Sequence, residues 1–101
     1  MNRRLKFHLI LEELLGSDQV YFQPPADVKM KYPAIVYKRQ NIDTKLADDE
    51  LYGGVTVYMV TVIDPNPDSE FPAKLLKLQM SSFSRHYTAN NLNHDVFVVY
   101  H

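Results

Sequence analysis

Few side chains in this sequence have the type and spacing to do chemistry. The four histidines are His8, His86, His94 and His101, and none lies three or four residues from another, the interval that brings two imidazoles together on one face of a helix. His86 and His94 are placed to meet across two paired strands and form the one candidate histidine site. Asp48-Asp49-Glu50 offers carboxylates, but a calcium loop alternates its oxygen ligands and adds a glycine for the sharp turn and a closing glutamate. Three adjacent acids read instead as a solvated turn. Ser81, Ser82 and Ser84 precede His86 without the glycine-flanked elbow that exposes a nucleophilic serine. Gly53-Gly54 leads into a strand, whereas a phosphate-binding loop opens a helix. The chain has no cysteine, so it forms no disulfide, carries no thiolate nucleophile and offers no thiolate to a metal. These residues lead to the expectation of a non-enzymatic protein with no catalytic, metal or cofactor-binding residues and no cofactor.

The elements that position these residues follow from periodicity. Over residues 3–15, Phe7, Ile10, Leu11 and Leu14 recur at helical spacing, Leu5 and Leu9 widen the stripe, and Gly16 follows as a C-terminal cap. Arg3, Arg4 and Lys6 crowd the positive end of the helix dipole while Glu12 and Glu13 sit at its negative end. That arrangement is mildly unfavourable, at about 0.3–1 kcal/mol per charge, and makes the basic end a candidate for an acidic partner surface. Val20-Tyr21-Phe22 is a short strand ended by Pro24-Pro25. Residues 32–40 form a second strand, with Lys38-Arg39-Gln40 running out to solvent. Residues 41–51 form a polar loop carrying Asp43, Lys45, Asp48, Asp49 and Glu50. At about 11 residues it is long for a hairpin, and loops of that length are disproportionately functional.

Residues 55–63 make the clearest strand, apolar on both faces: Val55, Val57, Met59 and Ile63 alternate with Tyr58, Val60 and Val62. A strand of that kind is covered on both sides. The turn-forming run Asp64-Pro65-Asn66-Pro67-Asp68-Ser69 leads to a second helix over 71–80, capped by Asp68 or Ser69. A strand over 82–86, a turn over 88–91 and a final strand over 94–100 complete the order α-β-β-β-α-β-β. This order implies an α+β domain with an antiparallel or mixed sheet of four to five strands, two helices mainly on one face, and one domain spanning residues 1–101.

Composition narrows the function classes. A chain of 101 residues hides about two-thirds of its surface on folding, which suffices for one core. Eleven basic against twelve acidic residues give a net charge of −1, without the positive excess of a phosphate-binding surface. No apolar run approaches the ~20 residues that span a bilayer, and the first residues lack the pattern of a cleaved signal. The expectation is therefore a protein with no membrane partner that does not bind nucleic acid directly.

Several segments together resemble a family of short bacteriophage proteins. They are Val20-Tyr21-Phe22-Gln23-Pro24-Pro25, Lys31-Tyr32-Pro33-Ala34-Ile35-Val36-Tyr37, Val60-Thr61-Val62-Ile63-Asp64 with Pro67-Asp68-Ser69, and Phe83-Ser84-Arg85-His86-Tyr87-Thr88 with Asn91-Leu92-Asn93-His94. In their order and in total length they are similar to the tail terminators of long-tailed phages, also called tail completion or tail-to-head joining proteins. The resemblance implies a structural virion protein of the tail neck, assembled in the host cytoplasm. There a ring, usually of six copies, caps the tail tube, ends its polymerisation and meets the head connector, with DNA passing through unbound. Alternatives are another neck component, a head-closure or adaptor ring, and less readily a small binding module or enzyme.

Contact regions are assigned on physical grounds. Two helices cannot cover two faces of a sheet, so the second face is expected to be covered by the next copy, through Tyr58, Val60 and Val62. The acidic loop is expected to reach the tube or the lumen, where its charge would repel passing DNA.

Overall fold

A computed structural model of the chain describes residues 2–43, 55–78 and 80–101. Helix α1 (Arg3–Leu15) begins at Asn2, whose side-chain oxygen accepts a hydrogen bond from the Leu5 amide at 2.8 Å. It ends at Gly16, which adopts a left-handed φ of 77° and donates its amide to the Glu12 carbonyl at 2.8 Å. A left-handed residue closes a helix by turning the chain away while satisfying an otherwise orphaned carbonyl, and glycine does so without a Cβ penalty. The buried stripe is Phe7, Leu11 and Leu15, with Leu14 packed beside it. Leu5, Leu9 and Ile10 are exposed, so the stripe is narrower than periodicity suggests.

The strands are β1 (Val20–Phe22), β2 (Ala34–Asp43), β3 (Val55–Asp64), β4 (Ser81–Ala89) and β5 (Leu92–Tyr100), in the sheet order β1-β2-β3-β5-β4. Short β1 runs parallel to β2 at one edge, and the other pairs are antiparallel. Helix α2 (Phe71–Leu76) connects β3 to β4. The observed order is the expected α-β-β-β-α-β-β of a two-helix, five-strand α+β fold with a mixed sheet.

Both helices cover the same face. Phe7, Leu11 and Leu15 of α1 and Leu75 of α2 share one core with Ile35 and Tyr37 of β2, Tyr58, Val60 and Val62 of β3, and Phe97 and Val99 of β5. Its centre is aromatic: Phe7 stacks on Tyr58 at 4.7 Å and meets Tyr37 edge-on at 5.6 Å, and Phe22 lies 4.9 Å from Tyr37. Offset-stacked and edge-on contacts of this kind add stabilisation beyond area burial.

Two connections show why the chain turns where it does. The Asp64 carboxylate accepts the Asn66 amide and the Asn66 side chain accepts the Asp68 amide, both at 2.9 Å. These successive side-chain-closed turns are braced by Asn93, which donates to the Asp64 carbonyl at 3.1 Å. The β4–β5 hairpin closes on Asn90 and Asn91, with φ of 54° and 61°. Both central residues at positive φ define the turn whose twist matches a two-residue hairpin, and asparagine tolerates it. Helix α2 is shorter than the expected 71–80. The Ser81 hydroxyl lies 3.0 Å from the Leu75 carbonyl and 2.8 Å from that of Leu78, and Met80 takes a φ of 61°, which turns the chain into β4.

Candidate interaction surface

The strand alternation sorts side chains between the helix-covered face and its opposite. Tyr58, Val60 and Val62, expected to meet a neighbouring copy, are 3%, 0% and 1% exposed and lie under the helices. They cannot meet another chain without unfolding this one. The aromatic packing of Phe7 on Tyr58 fixes that choice, and it is a contact 51 residues apart in sequence that alternation cannot reveal. The opposite set, Val57, Met59, Thr61 and Ile63, therefore lies on the face that neither helix covers.

Register aligns that open face across four strands. Val36 pairs with Thr61, Thr61 with Val96, and Val96 with Arg85, while Lys38 pairs with Met59 and Met59 with Val98. A groove of about 250 Å³ runs over this region, floored by Val36, Met59, Thr61 and Val96. Its rim carries Lys38 on one side and Arg85 with Tyr87 on the other. Lys38 and Arg85 are exposed, and the Arg85 guanidinium lies 5.6 Å from the centre of the Tyr87 ring. The ion pairs of the described residues are His8–Glu12, Lys74–Glu70 and His86–Asp95. Neither rim cation takes part in them.

A bulge puts Arg85 there. Phe83 pairs with Phe97 and packs edge-on against it at 5.5 Å, on the helix side. The register then shifts, so that Arg85 pairs with Val96 and Tyr87 with His94, both on the open side. One extra residue, Ser84, reverses which face the following side chains occupy. Strict alternation would place Phe83, Arg85 and Tyr87 together, so this half of the groove escaped the sequence reading. Lys38 was in principle legible, two residues beyond Val36 on the same face.

The histidines do not converge. His86 faces the Asp95 carboxylate at 2.8 Å, and His94, on the other side of the hairpin, stacks on Tyr87 at 4.6 Å. Among the described residues no three histidines or carboxylates come close enough to hold a metal ion. Ser81 is occupied with the end of α2.

The basic end of α1 is partly absorbed by the fold. Arg4 donates to the Tyr37 hydroxyl at 3.4 Å and lies 4.6 Å over the Phe22 ring. The same hydroxyl lies 2.7 Å from His8 Nδ1. The other ring nitrogen of His8, Nε2, faces Glu12 at 3.5 Å. Burial is the main force on the phenol and raises its pKa, with Arg4 opposing. This line of polar contacts pins α1 to β2. Arg3 and Lys6 remain exposed. They also depress the pKa of His101, whose main perturbation is burial against Phe7.

Of the acidic residues expected to face the tube or lumen, Asp43 ends β2, and Lys45, Asp48, Asp49 and Glu50 lie outside the described residues. Among the described residues no helix is long and apolar enough to cross a membrane. Comparison with protein-family models, with curated proteins and with solved structures yields no match.

Proposed function

We propose that this chain is a structural virion protein, a tail terminator that forms a ring at the head-proximal end of a phage tail tube. In that role it stops tube polymerisation and joins the tail to the head connector, with no reaction catalysed and no cofactor. One observation carries the reading: both helices cover the same face of the sheet, and the other presents the half-buried side chains of Val36, Met59, Thr61 and Val98 around an open groove. Apolar surface of this kind is what self-assembly removes from water.

A closed ring needs two different surfaces on each copy, because its contacts are head-to-tail. The open sheet face is one of them, replacing the set that lies beneath α1. The small net charge also limits repulsion among identical packed copies. The sequence resemblance adds the setting, the tail neck, and the partners, tube protein and connector.

Molecular mass measured by light scattering at several concentrations, with and without purified tail tubes, tests the reading. A discrete oligomer, free or seated on tube ends by electron microscopy, is expected. A strict monomer that leaves the tubes bare overturns it.

A further inference from the structure

A second cavity lies on the helix side of the sheet, where the first turn of α1, the end of β1 and the paired strands β2 and β3 meet. It measures about 370 Å³, in the range of small-molecule sites, and Arg3, Arg4 and Arg39 all line it. Alternation along β2 sends Lys38 to the groove and Arg39 to the opposite face, with Ile35 and Tyr37. Arg4 is held in place, its guanidinium 4.6 Å over the Phe22 ring and donating to the Tyr37 hydroxyl at 3.4 Å.

The side chains around this cavity mostly donate hydrogen bonds. A guanidinium has five N–H groups and no acceptor. The side-chain oxygens of Asn2 and Gln23 accept the Leu5 amide at 2.8 Å and the Arg39 amide at 3.1 Å, so what each still offers is its NH2 group. Thr56 adds a hydroxyl. Among the described residues no carboxylate lines the cavity, and neither Arg4 nor Arg39 takes part in an ion pair. The fitting ligand is a compact anion rich in acceptor oxygens. A carboxylate brings one charge and two oxygens, which a single guanidinium fork satisfies. A phosphate monoester brings nearly two charges and three terminal oxygens, enough for more than one arginine at once.

We infer that the cavity binds a phosphate monoester group, either as free phosphate or carried by a small molecule. The net charge of −1 hides this site because it averages over the whole chain, and Arg39 joins the basic end of α1 only through the fold. The inference goes beyond the ring reading and does not use it.

The test titrates inorganic phosphate and a nucleoside 5′-monophosphate separately into the full chain, followed by the amide shifts in nuclear magnetic resonance spectra. Saturable binding centred on Arg3, Arg39 and Thr56 is expected. Equal affinity for the two makes the phosphate group the whole ligand, and a tighter nucleotide shows that its carrier contributes. Arg39→Gln should weaken binding about tenfold, the worth of one charge-assisted hydrogen bond. Lys38→Gln, its neighbour on the other face with the same loss of charge, should change binding by less than about twofold. Circular dichroism checks that both variants are folded. No binding of either probe, shifts centred elsewhere, or equal weakening in the two variants overturns the inference. Succinate at equal ionic strength that binds as tightly as phosphate overturns it in favour of an acidic partner. A single-stranded DNA with 5′-hydroxyl ends that binds at these arginines more tightly than the monophosphate overturns it in favour of a diester backbone. These readouts are the same for a monomer and a ring, so the inference and the ring reading fail separately.

Discussion

Neighbouring residues on β3 separate the two faces experimentally. Val60 is fully buried in the aromatic core, whereas Met59, next in the chain, is half-buried on the open side. Val60→Ala removes two methyl groups from a site with no solvent. At about 0.8 kcal/mol for each group the transfer loss is near 1.6 kcal/mol. The cavity left beside its cross-strand neighbours Tyr37 and Phe97 brings the total to about 2–3 kcal/mol. With a urea slope of about 1.5 kcal/mol per molar, the unfolding midpoint should fall by roughly 1–2 M. Met59→Gln keeps the length of the side chain and opens no cavity, so its midpoint should move by less than about 0.5 M. Self-association should respond the other way, weakening about tenfold for Met59→Gln at an interface centred on the open face. Unfolding is best followed at a concentration where the parent is monomeric, because assembly itself adds apparent stability. Equal midpoints for the two variants would refute the assignment of faces, and association sensitive to Val60 alone would return the contact to the helix side.

Two further outcomes follow from the polar contacts of α1. Tyr37→Phe keeps the ring packing but leaves His8 Nδ1 and the Arg4 guanidinium without the hydroxyl they share. The expected loss is about 1–2 kcal/mol, a drop of roughly 5–15 °C in a thermal melt followed by circular dichroism, and an unchanged melt would show that the contacts do not pin the helix. Burial, reinforced by Arg3 and Lys6, holds the His101 pKa below its ordinary 6.5. The unfolded chain therefore takes up this proton at higher pH than the folded one, so the contribution is whole above pH 6.5 and is lost as pH falls through the folded value. Urea unfolding between pH 7 and pH 5 should show a stability decline that His101→Gln makes shallower, and parallel declines would remove His101 as a cause.

How far the fold could be read from sequence depended on whether local chemistry or distant contact decided each feature. Helix α1 and strand β1 carry their own stops, Gly16 and Pro24-Pro25, and their bounds were legible. So was the order of elements, because turns at Asp64–Ser69 and Asn90-Asn91 announce themselves by residue type. Strand β2 extends to Asp43 although Lys38-Arg39-Gln40 looks like an exit to solvent, because pairing with β3 holds it extended. The faces of β3 were not legible. Both are apolar, and only the seating of Phe7 decides between them. The groove was half hidden for a related reason, since the bulge at Ser84 is invisible in composition and reverses the side on which Arg85 emerges.

That bulge also bears on how the exposed edge of the sheet behaves in solution. Strand β4 is a nine-residue edge strand, exposed along almost its whole length, and a flat edge of that length is a template on which like chains stack without limit. The extra residue bends the edge and breaks its regular row of donors and acceptors, and Ser82, Ser84 and Arg85 surround the exposed Phe83 with polar side chains. Deleting Ser84 would straighten the strand and restore its regular row of donors and acceptors, with Phe83 and Arg85 still on opposite faces. The same irregularity that shapes the groove thus guards the exposed edge of the sheet against fibrillar stacking.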